Sequence, residues 1–329
     1  MDAPYHYGHR RVRGPGAVDY VCSASLPHHH RRCLLLSFDL EPDHGCLSDL
    51  LLLFMIKWTK RKEGILFMKT IGFIGVGKMA TAIISGLDKN KFKIIISGHN
   101  LTKTQKQAET LNVTAASNHE ELVQESDFII LSVKPQVLPS VLSKLINHLT
   151  KDKTLISIAA GLTLSDLKHL ADSENQPIIR VMPNINAQIG QSTSAIVKNE
   201  FVDDSAYATV QEIFKSTGSV HEIAEKDFST FAAIAGSSPA FIYMFIDAMA
   251  RAGVLHGIPK DQATAIVAET VRASAEMILQ SGENPWSLVD KVSSPGGTTV
   301  AGVVSLEQNH FIGTVIDAIS ATIEKEKNL

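Results

Sequence analysis

Apolar and polar positions follow two different rules along this chain, and the change between them falls near residue 225. From Met68 to that point, short apolar runs alternate with amphipathic stretches. The runs cover residues 70–75, 92–97, 127–133, 154–159 and 178–182, and they are rich in Ile, Val and Phe. Residues 78–87, 102–111 and 135–149 lie between them and carry helical spacing. Apolar strands of this length separated by helices predict βαβ units and a parallel sheet covered on both faces.

From Phe228 onward apolar residues recur at intervals of three and four, with many Ala and Met. This spacing predicts long helices over 226–252, 260–281 and 299–325. Start signals stand at Pro259-Lys260-Asp261 and at the turn Gly296-Gly297-Thr298-Thr299. Helices so rich in Ala, Val and Ile bury one face against another subunit, so a dimer is expected. The expected fold is an α/β dinucleotide-binding domain over residues 68–224, followed by an all-α dimerisation domain over residues 225–329.

The first 67 residues obey neither rule. They hold all three Cys (Cys22, Cys33 and Cys46) and the run His28-His29-His30. Their apolar run, residues 50–56, is too short to span a membrane, which takes about 20 residues, and has no cleavage site of a secretory signal. Three readings stand: a short helix that docks on the main body, an organelle-targeting extension, or a translated upstream stretch with the start at Met68. The segment is expected to be poorly ordered or not native.

Composition narrows the chemistry. The chain has 329 residues, 44% hydrophobic and 20% charged, with a net charge of −3. A balance so near neutral gives no basic face for nucleic acid. Three Cys without CxxC spacing fit neither a disulfide scaffold nor a zinc site and point to a reducing, cytoplasmic compartment. No metal site is expected.

Gly75-Val76-Gly77-Lys78-Met79-Ala80 follows a strand and opens a helix. The first Gly makes a tight turn, the second lets the backbone approach a pyrophosphate, and the small third residue lets helix and strand pack closely. Phosphate then lies against free N–H groups at the helix start. A plain tight turn is the other reading of three small residues, but the strand-turn-helix context favours the dinucleotide.

The second strand ends in Ser97-Gly98-His99-Asn100, with Lys103 near. An NAD site usually has a carboxylate there for the ribose 2′-hydroxyl. Without one, Ser97, His99 and Asn100 are free to donate to a 2′-phosphate, which favours NADPH over NADH; the competing reading is a solvated loop without selectivity. Lys134 stands at the carboxyl end of the fourth strand, where ligands bind in such sheets. The small residues of Ile158-Ala159-Ala160-Gly161 leave room for a nicotinamide ring.

Ser293-Ser294-Pro295-Gly296-Gly297-Thr298-Thr299 joins hydroxyls to bare backbone N–H groups ahead of a helix. That chemistry suits a small anion such as a carboxylate. A Gly-rich helix cap is the alternative.

At these residues the chain resembles the pyrroline-5-carboxylate reductases. The resemblance runs from Met68 to about Lys325. It rests on IGFIGVGKMATAI, SVKPQ, RVMPN, AGSSPAFIY and above all DKVSSPGGTTVAGV. It implies a Rossmann-type domain, a helical dimerisation domain, reduction of a cyclic imine with NADPH or NADH, and interlocked homodimers that often join into rings. Carried onto this chain, Gly75 to Ala80 hold the pyrophosphate and Asn118 sits near the adenosine ribose. Val133, Lys134, Pro135, Ala159 and Ala160 line the cofactor. Ser294, Gly297, Thr298 and Thr299 form the pocket for carboxylate and imine, and Glu225 reaches it from the other side. Thr299 and Ser294 carry the catalytic roles, with the Thr299 hydroxyl bonded to the imine nitrogen.

Three departures affect substrate contacts. The chain has GSSPAF where GSGPAY is common, MPNIN where MPNTP is common, and Lys291 where Asn or Met is usual. Two other functions compete for the same residues. A β-hydroxyacid dehydrogenase needs a Lys four residues before an Asn in the first helix of the second domain, and this helix has neither. A non-catalytic NADP-binding sensor or scaffold would not require the intact SSPGGTT turn.

Overall fold

The computed structural model describes residues 68–327. The expectations for Cys22, Cys33, Cys46, His28-His29-His30 and the run 50–56 lie outside the described residues.

An eight-stranded sheet organises the first part, in the order β3-β2-β1-β4-β5-β6-β7-β8. Its strands are β1 (Lys69–Ile74), β2 (Phe92–Ser97), β3 (Thr114–Ala115), β4 (Phe128–Leu131), β5 (Thr154–Ser157), β6 (Ile178–Met182), β7 (Ser192–Lys198) and β8 (Gly218–Glu222). The helices between them are α1 (Lys78–Gly86), α2 (Leu101–Leu111), α3 (His119–Glu125), α4 (Leu138–Leu145), α5 (Leu164–Leu170) and α6 (Asp204–Lys215).

Successive side chains of a strand point to opposite faces, and the core divides accordingly. Phe73, Ile94, Ile96, Ile130 and Ile156 pack with Ile83 and Ile84 of α1 and Val210 and Phe214 of α6. Ile74, Ile95, Ile129, Leu131 and Leu155 pack with Leu122, Leu138, Leu142 and Leu167 of α3, α4 and α5. Gly72 is what lets α3 lie against β1. A Cβ there would stand 2.4 Å from both Leu122 Cδ2 and Ser126 Oγ.

The expected sheet is corrected at one end. β7 runs antiparallel to β6, and β8 then pairs parallel to β7. These two strands carry Ser, Thr and His among their apolar residues, and β8 is a largely exposed edge, so neither shows the continuous apolar run of a buried parallel strand. The strand expectations at 127–133 and 154–159 were also too long. The ladders stop at Leu131 and Ser157, and the residues beyond leave the sheet as loops.

Helices make up the rest: α7 (Phe228–Phe231), a π-helical segment over Ala232–Ser237, α8 (Ser238–Leu255), α9 (Lys260–Ser281), α10 (Pro285–Val292), α11 (Thr298–Gln308) and α12 (Phe311–Lys327). The helix expected over 299–325 is two helices. His310 adopts a left-handed conformation (φ 58°) between them. α10 was missed, although Asn284 caps it and Pro285 opens it.

Within one chain these helices leave apolar side chains in the open. Met244, Leu255 and Leu279 are 72%, 80% and 78% exposed, and α10, α11 and α12 bury no residue fully. Exposed apolar area on this scale marks an association face. The run Glu225–Leu255, 31 residues with an 18-residue stretch of mean hydropathy 1.4, is long and apolar enough to cross a membrane by length and composition. The same open face accounts for that hydropathy.

Candidate active site

The carboxyl ends of β2, β1, β4 and β5 stand side by side in the sheet. The chain runs outward in opposite directions from β1 and β4, which leaves a crevice where such sheets take their ligands.

Gly75 turns out of β1 with φ +91°, and a Cβ there would meet Val133 Cγ1 at 2.8 Å and the Ser132 carbonyl oxygen at 3.0 Å. Its N–H donates to the Ser97 carbonyl at 2.8 Å. From α2, Gln107 Nε2 donates to the Val76 carbonyl at 3.0 Å and braces the turn. Gly77 has a different reason to be glycine. A Cβ on it would meet nothing within 4 Å, so the chain itself does not demand the gap. A cradle open on one side, next to the free N–H groups that begin α1, fits a pyrophosphate. Lys78 is exposed and Met79 half-buried, while the Ala80 side chain is fully buried in the core. Ala80 therefore packs α1 on the sheet and can touch a ligand only through its backbone.

The structure corrects the role expected for Ser97. It is 1% exposed, and its hydroxyl meets His119 Nδ1 at 2.7 Å. It is not free to hold a phosphate. Asn100 is exposed and caps α2, its Oδ1 accepting from Lys103 N at 2.9 Å. Asn118 likewise caps α3, accepting from Glu121 N at 2.7 Å. His119 was not among the expected residues. Burial holds its imidazole below the ordinary pKa, while Glu120 pulls it up and Lys144 pushes it down.

Val133 packs against the Gly75 turn, Lys134 is exposed, and Pro135 is half-buried in the loop after β4. After β5, Ala159 is buried, Ala160 is exposed, and Gly161 turns with φ +76°. These residues stand on the same sheet edge as the glycine turn.

The second turn connects α10 to α11. Gly296 has φ +70°, and Gly297 donates its N–H to the Ser294 carbonyl at 2.9 Å. Gly297 is thus spent within the turn. A Cβ there would lie 2.6 Å from Ser294 Oγ. Ser294, Thr298 and Thr299 are exposed, and Thr298 and Thr299 begin α11 with N–H groups that have no intrahelical acceptor. The Ser293 hydroxyl is buried without a hydrogen-bond partner. Lys291 is held by Glu283 at 2.7 and 2.6 Å.

Glu225 is not brought together with this turn. Its Oε1 accepts from Leu164 N at 2.6 Å and from Arg180 at 3.3 Å. The Arg180 guanidinium lies 4.4 Å from the Phe228 ring centre. Within this chain Glu225 therefore ties β6 and the start of α5 to the first helices of the second part. Among the described residues no group of three His, Cys, Asp or Glu can hold a metal ion.

Comparison with known proteins adds independent findings. The sequence pattern described as "Pyrroline-5-carboxylate reductase dimerisation" matches residues 225–329, and the one described as "NADP oxidoreductase coenzyme F420-dependent" matches residues 70–161. The pyrroline-5-carboxylate reductase of Pisum sativum is 37% identical over 263 residues, covering 79% of this chain and 96% of that protein. That of Escherichia coli (strain K12) is 38% identical, covering 79% and 98%. A crystal structure of 1-pyrroline-5-carboxylate reductase from Streptococcus pyogenes is 45% identical with a TM-score of 0.73, over 79% of this chain and 98% of that one. The Plasmodium falciparum structure, with NADP bound, is 33% identical with a TM-score of 0.71, over 80% and 99%.

Proposed function

We infer the function of this chain from one premise: it belongs to the pyrroline-5-carboxylate reductase family. It is an NADPH-dependent oxidoreductase that reduces 1-pyrroline-5-carboxylate to L-proline, the last step of proline biosynthesis. In this reading NADH is the second donor.

The observation that carries the reading to particular residues is the turn of residues 293–299. It offers hydroxyls and free N–H groups and no strong base, nucleophile pair or metal ligand. A cyclic imine that already carries a proton is a good electrophile, so the chain must chiefly align two reactants. When bound, the reduced nicotinamide supplies the hydride that goes to C5 of the imine.

In this proposal the N–H groups opening α1 hold the pyrophosphate, with Gly77 leaving the space. Val133, Lys134, Pro135, Ala159 and Ala160 line the nicotinamide half. Ser294 Oγ and the N–H groups of Thr298 and Thr299 hold the substrate carboxylate. The Thr299 hydroxyl hydrogen-bonds the imine nitrogen and relays a proton to it from solvent, giving the protonated imine that takes the hydride. Gly297 acts by its missing side chain.

The unit that performs this is a homo-oligomer. We assign residues 68–224 to cofactor binding and 225–329 to dimerisation and substrate. The open apolar faces of α8 and α9 fit a second copy, giving a homodimer that can join into rings. Composition supports a reducing, cytoplasmic setting.

Mixing the purified protein with NADPH and 1-pyrroline-5-carboxylate tests the function. Imine-dependent loss of the reduced cofactor, with L-proline formed in equal amount, is expected. Cofactor binding without turnover would overturn it.

A further inference from the structure

The Ser97–His119 pair is placed by three strands. Ser97 ends β2 in register with Ile74, the residue before the glycine turn, and its carbonyl receives the Gly75 N–H. Beside β2 lies β3, with Ala115 opposite Ile96. Four residues past Ala115 comes His119, whose Nδ1 meets the Ser97 hydroxyl at 2.7 Å. The half-buried imidazole is thereby fastened at the carboxyl edge of β2, one strand from the pyrophosphate cradle. In sheets of this kind the adenosine ribose of a dinucleotide is read at that edge.

The groups around the imidazole decide what it can read. His99, Asn100 and Lys103 stand exposed on the loop after β2 and the first turn of α2. Residues 97–100 contain no carboxylate. On its own side His119 is flanked by Glu120, with Lys144 of α4 also within electrostatic reach. With Nδ1 occupied by Ser97, Nε2 is the position left for a ligand, and an imidazolium there donates a charge-assisted hydrogen bond to a phosphate dianion.

We propose that His119, fixed by Ser97, reads the 2′-phosphate of NADPH in this chain, so that selectivity for NADPH over NADH strengthens as pH falls through neutrality. The proposal rests on the reading that the cofactor is a nicotinamide dinucleotide.

The sign follows from linkage. Burial keeps the free imidazole mostly neutral at neutral pH. A bound dianion favours the protonated form and raises its pKa. Between those two pKa values binding takes up a proton, and NADPH affinity rises as pH falls through that window. NADH lacks the phosphate and takes up none there. The window closes near pH ~6, where a phosphate group itself gains a proton.

The test measures dissociation constants of NADPH and NADH for the full chain by quenching of tryptophan fluorescence, at about pH 6.5 and about pH 8.5. The ratio Kd(NADH)/Kd(NADPH) is expected to be about three- to tenfold larger at the lower pH, and flat in His119→Gln, since one proton changes affinity at most about tenfold per pH unit. In the unaltered protein, the His119 imidazole resonance should titrate at higher pH with NADPH bound than with NADH bound. A pH-independent ratio overturns the proposal. So does a dependence that survives in His119→Gln, or one lost only in His99→Gln. Imine reduction is measured in parallel: its absence with both cofactors counts against the function, whereas a flat binding ratio in an active enzyme counts against His119.

Discussion

Asn184 donates its side-chain amide to the carbonyl oxygen of Ala235 at 3.0 Å, joining the turn after β6 to the π-helical segment of the second part. The bond has a local cause. Pro239, which has no N–H, stands just past the π-helical segment, and Asn184 gives Ala235 a donor from another element. The Asn184 Oδ1 meanwhile accepts from Asn186 N at 3.2 Å. Two stretches of sequence, RVMPN and AGSSPAF, meet here, and π-helical turns are frequent at functional sites.

Asn184→Ala is therefore expected to lower stability by about 1–2 kcal/mol, because it strips partners from partly buried backbone groups. Asn184 is 5% exposed, so water does not replace them readily. Thermal unfolding followed by circular dichroism checks this; an unchanged midpoint would show that the joint carries no load.

Much of this was legible in the sequence where backbone geometry dictates residue type. β2 and β6 fall where their apolar runs place them, and both glycine turns declare themselves because Gly75 and Gly296 take left-handed backbone that favours glycine. What failed were features fixed by distant partners. Ser97 looked like a free donor until His119, 22 residues away, met its hydroxyl. The pairing of Glu225 with Arg180, 45 residues back, was equally invisible in the sequence. The break at His310 has no Gly or Pro at Asn309 or His310 to announce it. α10 had its signal in Asn284-Pro285, and it was legible.

Because Ser97 is buried, the cofactor loop is better tested at Asn100. Asn100→Asp keeps the cap on α2, since Asp caps as well as Asn, but sets a negative charge where a 2′-phosphate would lie. The expected result is a loss of about tenfold or more in selectivity for NADPH over NADH with little change in melting temperature. Selectivity that stays put would remove this loop from cofactor choice.

Thr299→Ala separates chemistry from capping. If its hydroxyl bonds the imine nitrogen, kcat should fall about ten- to a hundredfold, since such a bond is worth roughly 1.5–3 kcal/mol and 1.36 kcal/mol is about tenfold in rate. NADPH affinity should hold, because the pyrophosphate is held at the start of α1. A drop in melting temperature with unaltered kcat would assign Thr299 to the helix end alone.

A chain shortened to begin at Met68 should fold and keep full activity, since every motif and every core cluster described lies after that residue. Specific activity and gel-filtration profile beside the full chain check this. An inactive or insoluble product would make the first 67 residues a working part.

The central claim is that this chain delivers a hydride from the nicotinamide to the imine carbon. Cofactor carrying deuterium at the transferable C4 position tests it directly, with mass spectrometry of the product. The account predicts L-proline bearing one deuterium on C5. Proline without deuterium, or none formed while the labelled cofactor stays intact, would contradict it.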